Sequence, residues 1–256
     1  MSEQGIYSKR CWLDGNLEEA TIYFENGIIT QIKRGPLNDF TGIKNAGNDL
    51  LMPGAIDAHV HVNEPGRTDW EGFDTATQAA AAGGITTIID MPLNASPVTT
   101  SLLALHQKIK ATEGKLHVNV GFYGGLVPTN CNKIESLITG GVFGIKAFLT
   151  HSGIDEFPNV SIEDLENAMP IIARNKIPLL VHCELSDGHH LERLVTHPTN
   201  YNAYLQSRPK EWENKAIAVM VDLCRKYQCA VHIVHVSSAE SLHIIKSAKE
   251  EGLPVT

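Results

Sequence analysis

Apolar and polar positions follow two different rhythms along this chain. Over residues 5–50, short apolar runs at 20–24 and 28–32 stand between the turn signals Leu13-Asp14-Gly15 and Glu25-Asn26-Gly27. Strands joined by tight turns have this texture, so residues 1–50 are expected to form part of a small domain of the β-sandwich type. After Met52-Pro53-Gly54 the rhythm changes to β-branched runs that alternate with helix-patterned stretches. Such repeated βα units predict a parallel sheet. The expected strands are 55–62, 86–91, 117–123, 144–149, 178–184 and 230–237, with helices at 74–82, 101–113, 161–175, 212–227 and 238–251, the last opened by a serine cap. Residues 253–256 read as entry into a seventh strand. The fold class is therefore α/β, a TIM-like (β/α)8 barrel seen as six βα units plus the start of strand seven, spanning residues 51–256.

Composition narrows the function. With 43% hydrophobic residues the chain can bury a large core, and its net charge of −8 has no basic stripe for phosphates, so neither nucleic acid nor a membrane is an expected partner. Cys11, Cys131, Cys183, Cys224 and Cys229 are scattered without a CxxC pair, which speaks against a disulfide framework and against thiolate zinc. A reducing, intracellular setting is expected, cytoplasmic or organellar rather than secreted.

The chemistry sits at strand ends. His59 and His61 lie two apart at the end of the first barrel strand, so a strand would turn both imidazoles to one side, where they make half a metal site; a chance HxH among 12 histidines is the bland alternative. Lys146 stands alone in the apolar strand Gly144-Ile145-Lys146-Ala147-Phe148-Leu149. Either its charged end snorkels outward, or it is desolvated and carbamylated by CO2 into a carboxylate-like bridge. His182 ends strand five and His235 ends strand six. His232, three residues earlier, is expected to face the opposite way as a structural histidine. Four imidazoles and one bridging carbamate suit two divalent ions, zinc by default, held about 3.5–4 Å apart as in two-metal hydrolases that cleave amides. A carboxylate is then needed to move the proton to the departing nitrogen.

This arrangement resembles the cyclic-amidase branch of the amidohydrolase superfamily, with HxH after strand one, a carbamylated lysine on strand four, histidines on strands five and six, and an aspartate on strand eight. The resemblance covers essentially the whole chain. The stretch HVHVNEPGRTDWEGF at 59–73 is similar to the allantoinase family in particular: dihydroorotases typically carry arginine where Asn63 stands, to bind a substrate carboxylate that allantoin lacks. DMPLN at 90–94 and HSGIDEFP at 151–158 resemble eukaryotic allantoinases too. The resemblance implies hydrolysis of allantoin to allantoate, with Asn94, His151 and Ser152 as candidate substrate contacts and a homotetramer as the expected assembly. Asn94 has a plain alternative as a turn residue after Pro92. Asp57 is expected to support the first strand.

Two departures stand against the family pattern. Ala147 occupies the place where relatives usually carry cysteine, a packing difference. The strand-eight aspartate has no counterpart before Thr256, so no catalytic carboxylate is assigned, and this polypeptide alone is expected to be unstable or inactive. Alternatives are a hydantoinase or dihydropyrimidinase, and a non-catalytic isoform of the kind seen in neuronal dihydropyrimidinase-like proteins. The five retained ligand candidates argue against that last reading.

Overall fold

A computed structural model describes residues 4–186 and 199–256. His189, His190 and His197 lie outside the described residues. The chain divides into two compact units, Met1–Ala55 and Ile56–Thr256.

In the first unit β1 (Gln4–Leu13), β2 (Asn16–Glu25) and β3 (Ile28–Arg34) form an antiparallel meander. Both hairpins turn on the expected pairs, with φ of 49° and 82° at Asp14 and Gly15 and of 51° and 79° at Asn26 and Gly27. Two successive positive φ values give the turn that matches the twist of paired strands, and Asn-Gly and Asp-Gly tolerate them best. Strands β4 (Ile43–Asn45) and β5 (Leu50–Leu51) then add to β1 in parallel. Among the described residues this makes one five-stranded sheet rather than two layers. Because Leu50 and Leu51 pair with β1, the unit reaches Ala55 and not residue 50.

The second unit is a parallel wall in chain order. Strand β6 (Ala55–Val60) lies beside β7 (Ile85–Asp90), which pairs in parallel with β8 (Asn119–Phe122). A second sheet runs β9 (Gly124–Gly125), β10 (Ile145–Phe148), β11 (Leu179–His182), β12 (Val231–Ile233). Strands β8 and β9 are the expected third strand, broken at Tyr123. The Tyr123 N–H still bonds back to Asp90, whereas the Gly124 N–H bonds forward to Gly144. Val255 bridges Val231 in parallel, where the seventh strand was expected.

Alternation along these strands sorts two faces. Ile145, Ala147, Leu179, Val181, Val231 and Ile233 pack with helix residues in the larger core. Phe148, Leu180 and Val234 pack with Met91, Tyr123 and Phe157 on the other face. Among the described residues the helices are α1 (Phe73–Ala82), α2 (Leu102–Ala111), α3 (Ile134–Thr139), α4 (Ile162–Arg174), α5 (Tyr201–Ser207), α6 (Lys210–Tyr227) and α7 (Leu242–Glu250). Ser161 caps α4 in a full capping box with Asp164. The expected serine cap of the last helix is absent. A 3-10 turn at Ala239–Ser241 intervenes, the Ser238 hydroxyl bonds the Glu240 carboxylate, and the Ser241 hydroxyl bonds the Asn214 side chain.

Candidate metal centre

Four histidines gather at the C-terminal ends of β6, β11 and β12. The His59 and His61 rings lie 5.5 Å apart, His59 and His235 also 5.5 Å, and His182 and His235 4.8 Å. His182 Nδ1 stands 3.3 Å from His235 Nε2. Two nitrogens on one tetrahedral zinc, with bonds of about 2.0–2.1 Å, must sit about 3.3 Å apart, so this pair already has the spacing of a shared cation. Among the described residues, no three His, Cys, Asp or Glu side chains converge in that way. The charge that acts on His59, His61 and His235 alike is that of Lys146.

Lys146 has no surface on solvent, and its Nζ has no hydrogen-bond partner. It lies over the Phe148 ring at 4.7 Å from the centroid. The outward, snorkelling alternative is thereby excluded. Burial pushes its amine down to about 7, because a charged ammonium in a dry wall without a counter-ion is costly. Burial likewise lowers His59 to about 4, with the Lys146 charge and neighbouring His61 adding to the effect. His235, lowered to about 4, follows the same causes with His182 as the crowding neighbour. Burial lowers His61 as well, and its Nδ1 is buried without a partner. Neutral imidazoles are the form that donates a lone pair to a metal. Two orphaned buried nitrogens and a set of neutral rings fit a group that would use those lone pairs.

Elements around the site hold these rings in place. Asp57 accepts from the His59 backbone N–H at 3.1 Å, in line with its expected supporting role. The buried Asp90 accepts from Val62 N–H at 2.7 Å and pairs with buried Lys108 at 2.5 Å, which ties the end of β6 to β7 and α2. His235 reaches the site through a left-handed backbone, φ 41°. Glu213 fixes the turn beyond it, accepting from Ser237 N–H and Oγ at 2.7 Å each and from Ser238 N–H at 2.9 Å. Glu184 accepts from His182 Nε2 at 2.9 Å and pairs with Arg208. Burial alone would raise the Glu184 carboxyl, but those two partners outweigh it and hold it below the usual range.

His232 is a correction. The register pairs Lys146 with Leu180 and Leu180 with His232, so all three share a face. His232 therefore points to the same side as Lys146, lies beneath the site and bonds Thr256 Oγ1 at 2.8 Å. The odd offset of three, which on a continuous strand means opposite faces, was misleading, because the chain leaves the strand at Ile233 and the left-handed His235 resets the direction.

The three expected substrate contacts lie on the loops that follow β7 and β10. Asn94 has φ 77°, as the turn alternative requires, and its carbonyl accepts from Arg67 at 2.9 Å. The Ser152 hydroxyl is engaged within its own loop by the Phe157 carbonyl at 2.6 Å. Exposed His151 accepts from the Gly153 N–H at 3.1 Å. A cleft of about 990 Å³ opens over His182 and His235, walled by Glu184, Tyr204, Arg208 and Glu213.

Residues 50–255 match the amidohydrolase family. The chain belongs to that family. Among amidohydrolase relatives, the mitochondrial allantoinase of Aquarana catesbeiana is 44% identical over 253 residues, 98% of this chain and 52% of its own length. The Saccharomyces cerevisiae allantoinase is 37% identical over 271 residues, 100% of this chain and 59% of its own. An L-hydantoinase (dihydropyrimidinase) from Arthrobacter aurescens superposes with a TM-score of 0.85 at 29% identity, over 98% of this chain and 57% of that one. This amidohydrolase chain thus spans about half the length of the curated relatives it matches. No described helix is long and apolar enough to cross a membrane.

Proposed function

We propose that the protein carrying this chain hydrolyses the cyclic amide of allantoin to allantoate, using two divalent metal ions, zinc by ligand type, and a carbamate on Lys146. The observation that carries this is the buried, unpartnered Lys146 amine whose charge acts on His59, His61 and His235, beside a cluster of four histidines. With its amine at about 7, a large share of Lys146 is neutral under physiological conditions. The neutral nitrogen can add to CO2, forming an N–C bond and releasing a proton, which replaces a costly buried cation with an anion able to bind metal. His59 and His61 would hold one ion and His182 and His235 the other. Such a pair, when bound, polarises an amide carbonyl and makes water a nucleophile near neutral pH. The chain's own part is to keep the imidazoles neutral, to exclude water around Lys146 with Phe148 and Leu180, and to fix the rings through Glu184 and Glu213.

The family's cyclic-amidase activity leaves a choice of ring. The names of the allantoinase relatives support allantoin, whereas the hydantoinase neighbour supports a sister activity as the second reading. Protein supplied with zinc or manganese and bicarbonate is to be offered allantoin beside dihydrouracil, hydantoin and dihydroorotate. Ring opening of allantoin in preference to the others is expected. Preference for hydantoin or dihydrouracil would move the assignment to the sister enzymes, and metal uptake with no ring opened would favour a non-catalytic role.

A further inference from the structure

Glu184 has no place in the ligand set, yet it touches one candidate ligand directly. His182 and Glu184 lie two residues apart at the end of β11 and meet at 2.9 Å through Nε2 and Oε2. On its other side the carboxylate pairs with Arg208, which lies between α5 and α6. The His182 ring is also stacked on Phe148 at 4.9 Å with an interplanar angle of 17°. Stacking fixes the plane of an imidazole but not which edge faces which way, since a half-turn about the Cβ–Cγ bond exchanges Nδ1 with Cδ2 and Nε2 with Cε1. Only a hydrogen-bond partner on one edge makes that choice.

We infer that Glu184 is the positioning residue that makes Nδ1 the ligating atom of His182, with Arg208 anchoring the carboxylate. An ionised carboxylate only accepts, so Nε2 must carry the proton and Nδ1 keeps its lone pair. That lone pair faces His235 Nε2 at 3.3 Å. In the flipped ring Glu184 would meet a C–H edge, and its nearly buried Oε2 would keep Arg208 but lose the imidazole donor. The inference rests on the proposed reading in one respect, that His182 and His235 share a metal ion.

The test uses metal binding, read without substrate. Zinc affinity is measured by chelator competition on the protein carrying this chain, for wild type, Glu184→Ala and Glu184→Gln, alongside the visible spectrum of the cobalt-loaded forms and the unfolding of the metal-free forms. Glu184→Ala is expected to weaken one of two ions by about 10–100-fold, to alter the cobalt bands, and to leave metal-free unfolding near that of wild type, with Glu184→Gln recovering part of the loss. Unchanged affinity and bands in Glu184→Ala overturn the inference. So does a loss that follows metal-free stability without recovery in Glu184→Gln. Should Glu184→Ala fail to fold, nitrogen NMR of zinc-loaded wild type decides, because a His182 ring protonated on Nδ1 overturns the inference as well. Wild type that binds two ions but leaves allantoin intact sinks the substrate assignment only, whereas wild type that binds none sinks both.

Discussion

A lysine inside a dry strand can stay there by losing its proton or by reacting. Lys146 is held at about 7 against an ordinary 10.5, so between these values the unfolded chain binds a proton that the folded chain does not. Folded stability from this group therefore rises with pH across that interval, and the penalty of the buried cation is fully present below it. In metal-free, CO2-free solution Lys146→Met removes this dependence. The variant should be the more stable one below about pH 7 and lose that advantage as the pH rises toward 10.5, as read from urea midpoints. A gap that stays flat across the interval would mean that the amine is not depressed. At this scale the clustering of His59, His61, His182 and His235 was legible from strand-end position, and the burial of Lys146 from its standing alone in an apolar strand. Glu184 was in plain view two residues after His182, but its role depends on Arg208, 24 residues further on. The facing of His232 was misread because one left-handed residue, His235, breaks the period of two.

Secondary-structure elements were legible where local chemistry decides them. Ser161 with Asp164 caps α4, and the Asp-Gly and Asn-Gly hairpins turn as their residues demand. Ser238 has the residue type of a cap and no capping hydrogen bond, since Glu240 takes its hydroxyl. The short helices α3 and α5 carry too few turns to leave a periodic signal. What joins one element to another is long-range and left no trace in pattern. The buried pair of Lys108 on α2 and Asp90 on β7, at 2.5 Å, is the chief instance. Lys108→Met would leave Asp90 buried without its cation, at an expected cost of roughly 3–5 kcal/mol in chemical denaturation. Pairing it with Asp90→Asn should recover part of that loss. A Lys108→Met variant as stable as wild type would show that the pair does not hold β7 to α2.

For the whole molecule, the sequence showed where the change of rhythm falls and that parallel strands follow, and left the parallel partners of β1 unseen because β4 and β5 are only 3 and 2 residues long. The site belongs to the second unit alone. A ligand that binds only the folded state stabilises it by about 2.7 kcal/mol at a hundred times its dissociation constant. Zinc is therefore expected to slow amide exchange at the ends of β6, β11 and β12 while β1, β2 and β3 exchange as before. Equal protection of both units would argue against a site confined to Ile56–Thr256.

The complete burial of Lys146 has a further side, which concerns time. A side chain with no surface meets a dissolved gas only when the wall above it breathes, so its chemistry runs at the pace of rare openings rather than of collision. Newly folded protein would then mature with a lag, set by local motion and by the supply of bicarbonate. Once the ions are seated they would close the same door on the way out. On the proposed reading of a carbamate and two ions, readiness of this site would be a history the molecule acquires after folding, not a property it has the moment the strands are paired.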